Sequence, residues 1–152
     1  RATFFNLSIG NTDNHAKNHA LLYDRGSAPR LAPLYGLAPV KINGRHTREL
    51  SFKIGGAAFA EDLKAEHVIR FLMEAGLTDR AASRFIRESI ADLLQRLDQA
   101  IELELVGLKD FADLAGTEMR RLSEALDLQI NLTDRDHFVP RAPGWAAGAA
   151  PC

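Results

Sequence analysis

The sequence predicts an α+β domain that is mainly α, with a small hairpin or sheet and about three to five helices. Beyond residue 60, apolar residues recur at steps of three and four, as in helices packed on a core. Before residue 60, short apolar runs alternate with turn residues, as in short strands. A chain of 152 residues, 46% hydrophobic, can bury one core. We therefore read residues 1–60 and 61–130 as two segments of one domain, and residues 131–152 as a loose tail.

The first segment is expected to contain one helix and three strands. Residues 2–9 read as the end of a buried helix, which Gly10 closes in a left-handed conformation. Residues 20–23 predict a strand that pairs in a hairpin with an irregular arm over residues 31–35. A further short strand is expected over residues 50–54.

The second segment is expected to contain three helices. The first lies within residues 61–76, and Thr78 is a candidate N-cap of the second, which extends to about Leu105. A third apolar stripe, over residues 111–126, predicts another helix. Residues 141–152 are rich in Ala, Gly and Pro and bury too little apolar surface to order themselves.

Composition excludes few functions. With 19 basic and 20 acidic residues, the net charge of -1 gives no global attraction to nucleic acid or an anionic membrane. No apolar run approaches the roughly 20 residues needed to cross a bilayer. The only cysteine is Cys152, so we expect a reducing, cytoplasmic location. The chain starts at Arg1 and enters an apolar stretch directly, which reads as part of a longer protein.

The segment from residue 11 to residue 18 concentrates reactive side chains. It places the Asp13 carboxylate, the His15 imidazole, the Lys17 ammonium and the Asn18 amide within one loop. Phosphoryl transfer needs such groups: a carboxylate to accept a hydroxyl proton, an amide oxygen to ligate Mg²⁺, and cations to offset developing charge. Asp13 and Asn18 are five residues apart, the spacing found in kinase catalytic loops. The loop therefore predicts a phosphoryl-transfer site.

Two other interpretations of this loop stay open. Asp13 and Asn18 alone are also compatible with a turn in which polar side chains satisfy main-chain donors. His15 and His19 suggest a metal hydrolase, because imidazoles ligate transition metals. The local sequence, however, places no third strong ligand beside them.

The Asp-x-His-x-x-Asn pattern, with its flanks, resembles the HipA family of bacterial toxin kinases. The stretches that carry the resemblance are residues 10–19, Leu31-Ala32-Pro33-Leu34-Tyr35 and Phe52-Lys53-Ile54-Gly55-Gly56, in that order. The resemblance extends from residue 1 to about residue 130. It implies the C-terminal catalytic lobe of a serine/threonine protein kinase.

The resemblance also implies roles for five residues. Asp13 would be the catalytic base and Asn18 would hold Mg²⁺. His15 and Lys17 would lie against the phosphates of ATP, and Tyr35 would border the same site. ATP and Mg²⁺ are therefore the expected cofactors.

One departure from the family pattern affects the expected activity. The family places a second metal-binding Asp directly after this tyrosine, and here the residue is Gly36. Glycine offers a hard cation no side-chain ligand. The sequence also lacks a Gly-rich phosphate loop and the strand lysine that grip ATP from the other lobe. We therefore expect this chain to be inactive and to bind ATP only slightly.

The resemblance implies partners as well. HipA-like kinases phosphorylate an aminoacyl-tRNA synthetase and are bound by a small DNA-binding antitoxin. The chain would therefore contact DNA only indirectly, through the antitoxin, and would not bind a membrane. Two hypotheses follow: a fragment of a toxin kinase of a type II toxin-antitoxin system, or a degenerate, non-catalytic lobe that binds the antitoxin or another partner.

Overall fold

The computed structural model of the chain describes residues 1–104 and 108–140. Within this part the protein is mainly helical and contains two small antiparallel sheets, which confirms the predicted fold class. The end of the second predicted helix at Leu105 and the tail around Trp145 lie outside the described residues.

The first helix positions the polar loop. Helix α1 covers Ala2–Ser8, and the N–H of Gly10 donates to the Leu7 carbonyl oxygen at 3.1 Å. Gly10 has φ +70°, so the predicted left-handed stop is confirmed. A Cβ at this position would lie 3.0 Å from the side chain of Leu114, so a glycine allows the loop to start close against a later helix.

The two hairpin strands are shorter than predicted, the strand expected over residues 50–54 is one residue longer, and a fourth strand was not predicted. Strands β1 (Leu21–Leu22) and β2 (Arg30–Leu31) form the expected antiparallel hairpin. The second arm ends early, since Pro33 has no N–H to donate to a ladder. Strand β3 (Glu49–Ile54) pairs with β4 (Ala57–Phe59), which sequence reasoning missed because its alanines have little strand propensity.

Three helical units follow the sheets, as the sequence predicts. Their elements are α2 (Ala65–Glu74), α3 (Asp79–Phe85), a π-helical turn (Ile86–Ile90), α4 (Ala91–Glu104) and α5 (Lys109–Ala125). Helix α3, the π-helical turn and α4 follow one another without a break and form a single helical unit. Thr78 is the N-cap of α3, because its hydroxyl accepts the N–H of Ala81 at 3.3 Å.

Both segments contribute to one core. Phe4 of α1, Val68 of α2, Leu94 of α4 and Met119 of α5 are all fully buried and belong to the same cluster. The loop that follows α1 is therefore fixed against helices that come much later in the chain. None of the described helices combines the length and the apolar character needed to cross a bilayer.

The described part of the expected tail, residues 131–140, forms no helix or strand but is attached to α4. The N–H and hydroxyl of Thr133 both donate to the Asp98 carboxylate at 2.9 Å. Arg135 pairs with the same carboxylate and, at 2.8 Å, with Glu102. The side chains of Asp98 and Arg135 are both buried, which makes this attachment a buried ion pair.

We expect the Asp98 attachment to make stability depend on pH. Burial alone would raise the pKa of Asp98, but hydrogen bonds from Arg135 and Thr133 hold this pKa below its usual value. Since the folded-state pKa lies below the unfolded one, the contribution is present at neutral pH and is lost as pH falls below about 5. Urea unfolding from pH 7 to pH 3 should show a shallower acid loss of stability in Asp98→Asn than in the parent chain. Parallel profiles would contradict the assignment.

Candidate functional site

The polar loop, residues 11–18, contains both buried and exposed side chains. Asn11, Thr12 and Asn14 are buried, whereas Asp13 is exposed. The Thr12 hydroxyl donates to the Thr47 carbonyl oxygen at 3.1 Å, and a strand β3 N–H donates to the Thr12 carbonyl oxygen at 3.1 Å. The buried residues hold the loop in place while the side chain between them faces outward.

The structure brings Asp13, His15 and Asn18 together. The Asp13 carboxylate lies 3.4 Å from His15 Nε2, and its side chain is 66% exposed. The Asn18 amide donates to the main-chain oxygen of Asp13. Only Ala16–Asn18 form a helical turn, a 3-10 turn, so the loop is not a regular helix. The buried Nδ1 of His15 has no hydrogen-bond partner among the described residues.

The segment after β2 completes the cluster. The Tyr35 hydroxyl donates to the Lys17 carbonyl oxygen at 2.8 Å. Gly36 has φ +66°, and a Cβ built on it would lie 3.3 Å from Cγ and 3.4 Å from Oδ1 of Asn18. Position 36 is therefore directly beside the Asn18 amide, and all five residues predicted for the site lie on two segments in contact.

An open depression of about 390 Å³ has Asp13 in its lining but none of the other four residues predicted for the site. Its lining comes from the loop, from Val40, and from the chain entering and forming β3: Thr12, Asp13, Val40, His46, Thr47, Glu49, Leu50 and Ser51. An exposed carboxylate in the wall of such a space can accept a proton from a hydroxyl that enters it. The depression is thus large enough for a reacting side chain.

Sequence reasoning missed Lys41, a buried residue that bonds to the start of the polar loop. The N–H of Lys41 donates to the Gly10 carbonyl oxygen at 3.1 Å. Its ammonium lies between the carboxylates of Glu61 at 2.9 Å and Glu118 at 2.8 Å. Burial would raise the pKa of Glu61, but the hydrogen bond from Lys41 holds this pKa below its usual value. A lysine inside an otherwise apolar run, residues 37–42, was the available signal.

The donor set does not fit a firmly held Mg²⁺. Asn18 offers a neutral amide oxygen, Gly36 has no side chain, and Asp13, the one carboxylate of the loop, lies 3.4 Å from His15 Nε2. In the part of the chain that the structure describes, no three His, Cys, Asp or Glu side chains converge on a possible metal position. His19 bonds to Asn14 at 2.9 Å and so does not join His15, as a hydrolase site would need.

The mainly α domain, with its Asp and Asn loop beside an open depression, has the features of a kinase-like protein. A family model of the HipA-like C-terminal domain matches residues 1–101, and the chain belongs to that family. It is 27% identical over 145 residues to "Putative kinase Y4mE" of Sinorhizobium fredii (strain NBRC 101917 / NGR234), a match that covers 95% of this chain and 29% of that protein. The chain thus spans less than a third of that relative. No solved structure matches.

Proposed function

We propose that this chain is the catalytic-lobe part of a HipA-like serine/threonine protein kinase whose chemistry is phosphoryl transfer from ATP, with Mg²⁺, to a protein hydroxyl. The observation that carries the proposal is that Asp13, which lines an open depression, is bonded through its main chain to Asn18, and that position 36 lies against Asn18. The name of the relative from Sinorhizobium fredii agrees with this class of reaction.

Each residue then has a chemical role. Asp13 would accept the proton of the attacking hydroxyl, and its carboxylate lies 3.4 Å from His15 Nε2. His15 and Lys17 would lie against the phosphates of ATP, where the Lys17 ammonium would offset negative charge. The Tyr35 hydroxyl fixes the main chain of Lys17. Asn18 would contribute one neutral oxygen to a metal ion, which would need further ligands from elsewhere.

We further propose that Gly36 leaves the chain without transfer activity. The left-handed conformation at position 36 is accessible to Asp more readily than to most residues. An Asp side chain there would contact the Asn18 amide and supply the missing anionic oxygen. Glycine removes that ligand, so a hard cation would be poorly held.

A non-catalytic role as a partner-binding module is the second candidate. Besides Gly36, it is favoured by apolar side chains on the first hairpin: Leu21, Tyr23 and Leu31 are each more than half exposed. The partners we propose are those of HipA-like kinases, namely a small DNA-binding antitoxin of a type II system and, as substrate, an aminoacyl-tRNA synthetase. We propose a cytoplasmic location because these partners of HipA-like kinases are cytoplasmic.

Gly36→Asp should create a metal site that the native chain lacks. We expect Mn²⁺, used in place of Mg²⁺, to broaden the NMR signals of Asn18 at concentrations about tenfold lower in Gly36→Asp than in the native chain, because a carboxylate adds about 1.4 kcal/mol or more to cation binding. Gly26→Asp is the matched control: it adds the same charge on a turn with φ +82° and open surroundings.

The native chain should transfer no phosphate from labelled ATP and Mg²⁺ to a protein acceptor. Transfer that disappears in Asp13→Ala would overturn the proposed inactivity while supporting the proposed base. Equal Mn²⁺ broadening in Gly36→Asp and Gly26→Asp would exclude position 36 from a metal site.

A further inference from the structure

Asn11 is the buried side chain that links the two segments of the proposed site. It is 3% exposed. Its Nδ2 donates to the Gly36 carbonyl oxygen at 3.2 Å and to Asn6 Oδ1 at 2.6 Å, while its Oδ1 accepts the N–H of Asp13 at 3.1 Å. One amide therefore contacts helix α1, the loop and position 36 at the same time.

The chemistry of these contacts limits which side chain can make them. The Gly36 carbonyl needs a donor and the Asp13 N–H needs an acceptor, so the two main-chain groups fix the orientation of the amide. A carboxylate of the same shape has no donor, an apolar side chain has neither group, and serine is too short. Any of these would also leave the buried Asn6 Oδ1 without the donor that Asn11 supplies.

The link also has a fixed reference point. Asn6, which accepts from Asn11, donates its own amide to the Ala2 carbonyl oxygen at 3.0 Å, so it is fixed to the start of α1. Asn11 and Gly36 are 25 residues apart in sequence. The Asn11 amide therefore connects both the Asp13 main chain and position 36 to helix α1.

We infer that Asn11 is a positioning residue, which holds the Asp13 main chain and position 36 at the distance that the site requires. The inference rests on the proposed function, since it assigns Asn11 a role in that same site. Asn11 itself is buried and contacts no reacting group.

The test compares Asn11→Ser with Asn14→Ser. Asn14 is an equally buried asparagine of the same loop, but its Oδ1 bonds to His19 rather than to Asp13 or Gly36. In the native background, Asn11→Ser should speed amide hydrogen exchange at Asp13 about tenfold or more relative to Asn14→Ser, because only Asn11 accepts that N–H. Equal exchange rates at Asp13 in the two variants would overturn the inference.

A second measurement uses the Gly36→Asp background and Mn²⁺. Asn11→Gln keeps the donor and the acceptor but moves them by one methylene, so the chain should fold while Mn²⁺ affinity falls about tenfold. Unchanged affinity in Asn11→Gln would contradict the positioning role. If Gly36→Asp alone fails to bind Mn²⁺, the proposed metal site is wrong, and the exchange rate at Asp13 still decides the role of Asn11.

Discussion

Replacing Lys41 with methionine is expected to lower the free energy of unfolding by about 3–5 kcal/mol, the cost of removing one partner from a buried ion pair. The Lys41 ammonium is buried between Glu61 and Glu118, and Glu118 is itself buried. Arg121 also contacts Glu118 at 2.7 Å and Glu61 at 3.6 Å. Without Lys41, two close carboxylates would share a single cation.

Urea unfolding at pH 7 measures this loss, and Lys53→Met is the control. Lys53 is exposed on β3, so its replacement should change stability by no more than about 0.5 kcal/mol. Adding Glu118→Gln to Lys41→Met should recover part of the loss, because Glu61 and Arg121 then remain as a balanced pair. A cost near that of Lys53→Met, or a double variant less stable than Lys41→Met, would show that the cluster does not behave as a buried ion pair.

Replacing Gly55 with alanine is expected to lower the free energy of unfolding by about 3 kcal/mol or more, because of backbone strain and a steric clash. Gly55 has φ +54° in the turn between β3 and β4, and a Cβ there would lie 1.9 Å from the His67 carbonyl oxygen. That atom is main chain of α2, so relief requires the hairpin and the helix to move apart.

Gly26→Ala separates the clash from the strain. Gly26 has φ +82°, also in the left-handed region, but no atom lies within 4 Å of its Cβ position. Gly26→Ala should therefore lower the free energy of unfolding only by the backbone strain, about 1–2 kcal/mol. Equal losses in the two variants, measured by urea unfolding, would mean that the packing of the β3–β4 turn on α2 contributes nothing.

Local patterns predicted much of the fold. The left-handed Gly10, the Thr78 cap and the three helical units depend on residues close in sequence, so they could be read directly. Strand β4 was missed because its short, alanine-rich sequence has no strong strand preference, and its pairing with β3 stabilises it.

The sequence predicted which loop carries the chemical groups of the proposed site, but not which of its side chains are buried. It identified Asp13, His15, Lys17 and Asn18 from their types and spacing. It did not separate the buried asparagines from the exposed carboxylate, because all are polar and a loop has no periodicity to sort them.

By itself, then, the sequence determined the mainly α class, most helix limits to within a few residues, and the loop that carries Asp13 and Asn18. Only the tertiary structure decided that position 36 lies against Asn18, that Asn11 links it to Asp13, and that Lys41 meets Glu118. Helix periods and caps are short-range properties of the chain. Contacts between residues 18 to 77 positions apart form only when the helices pack on a common core.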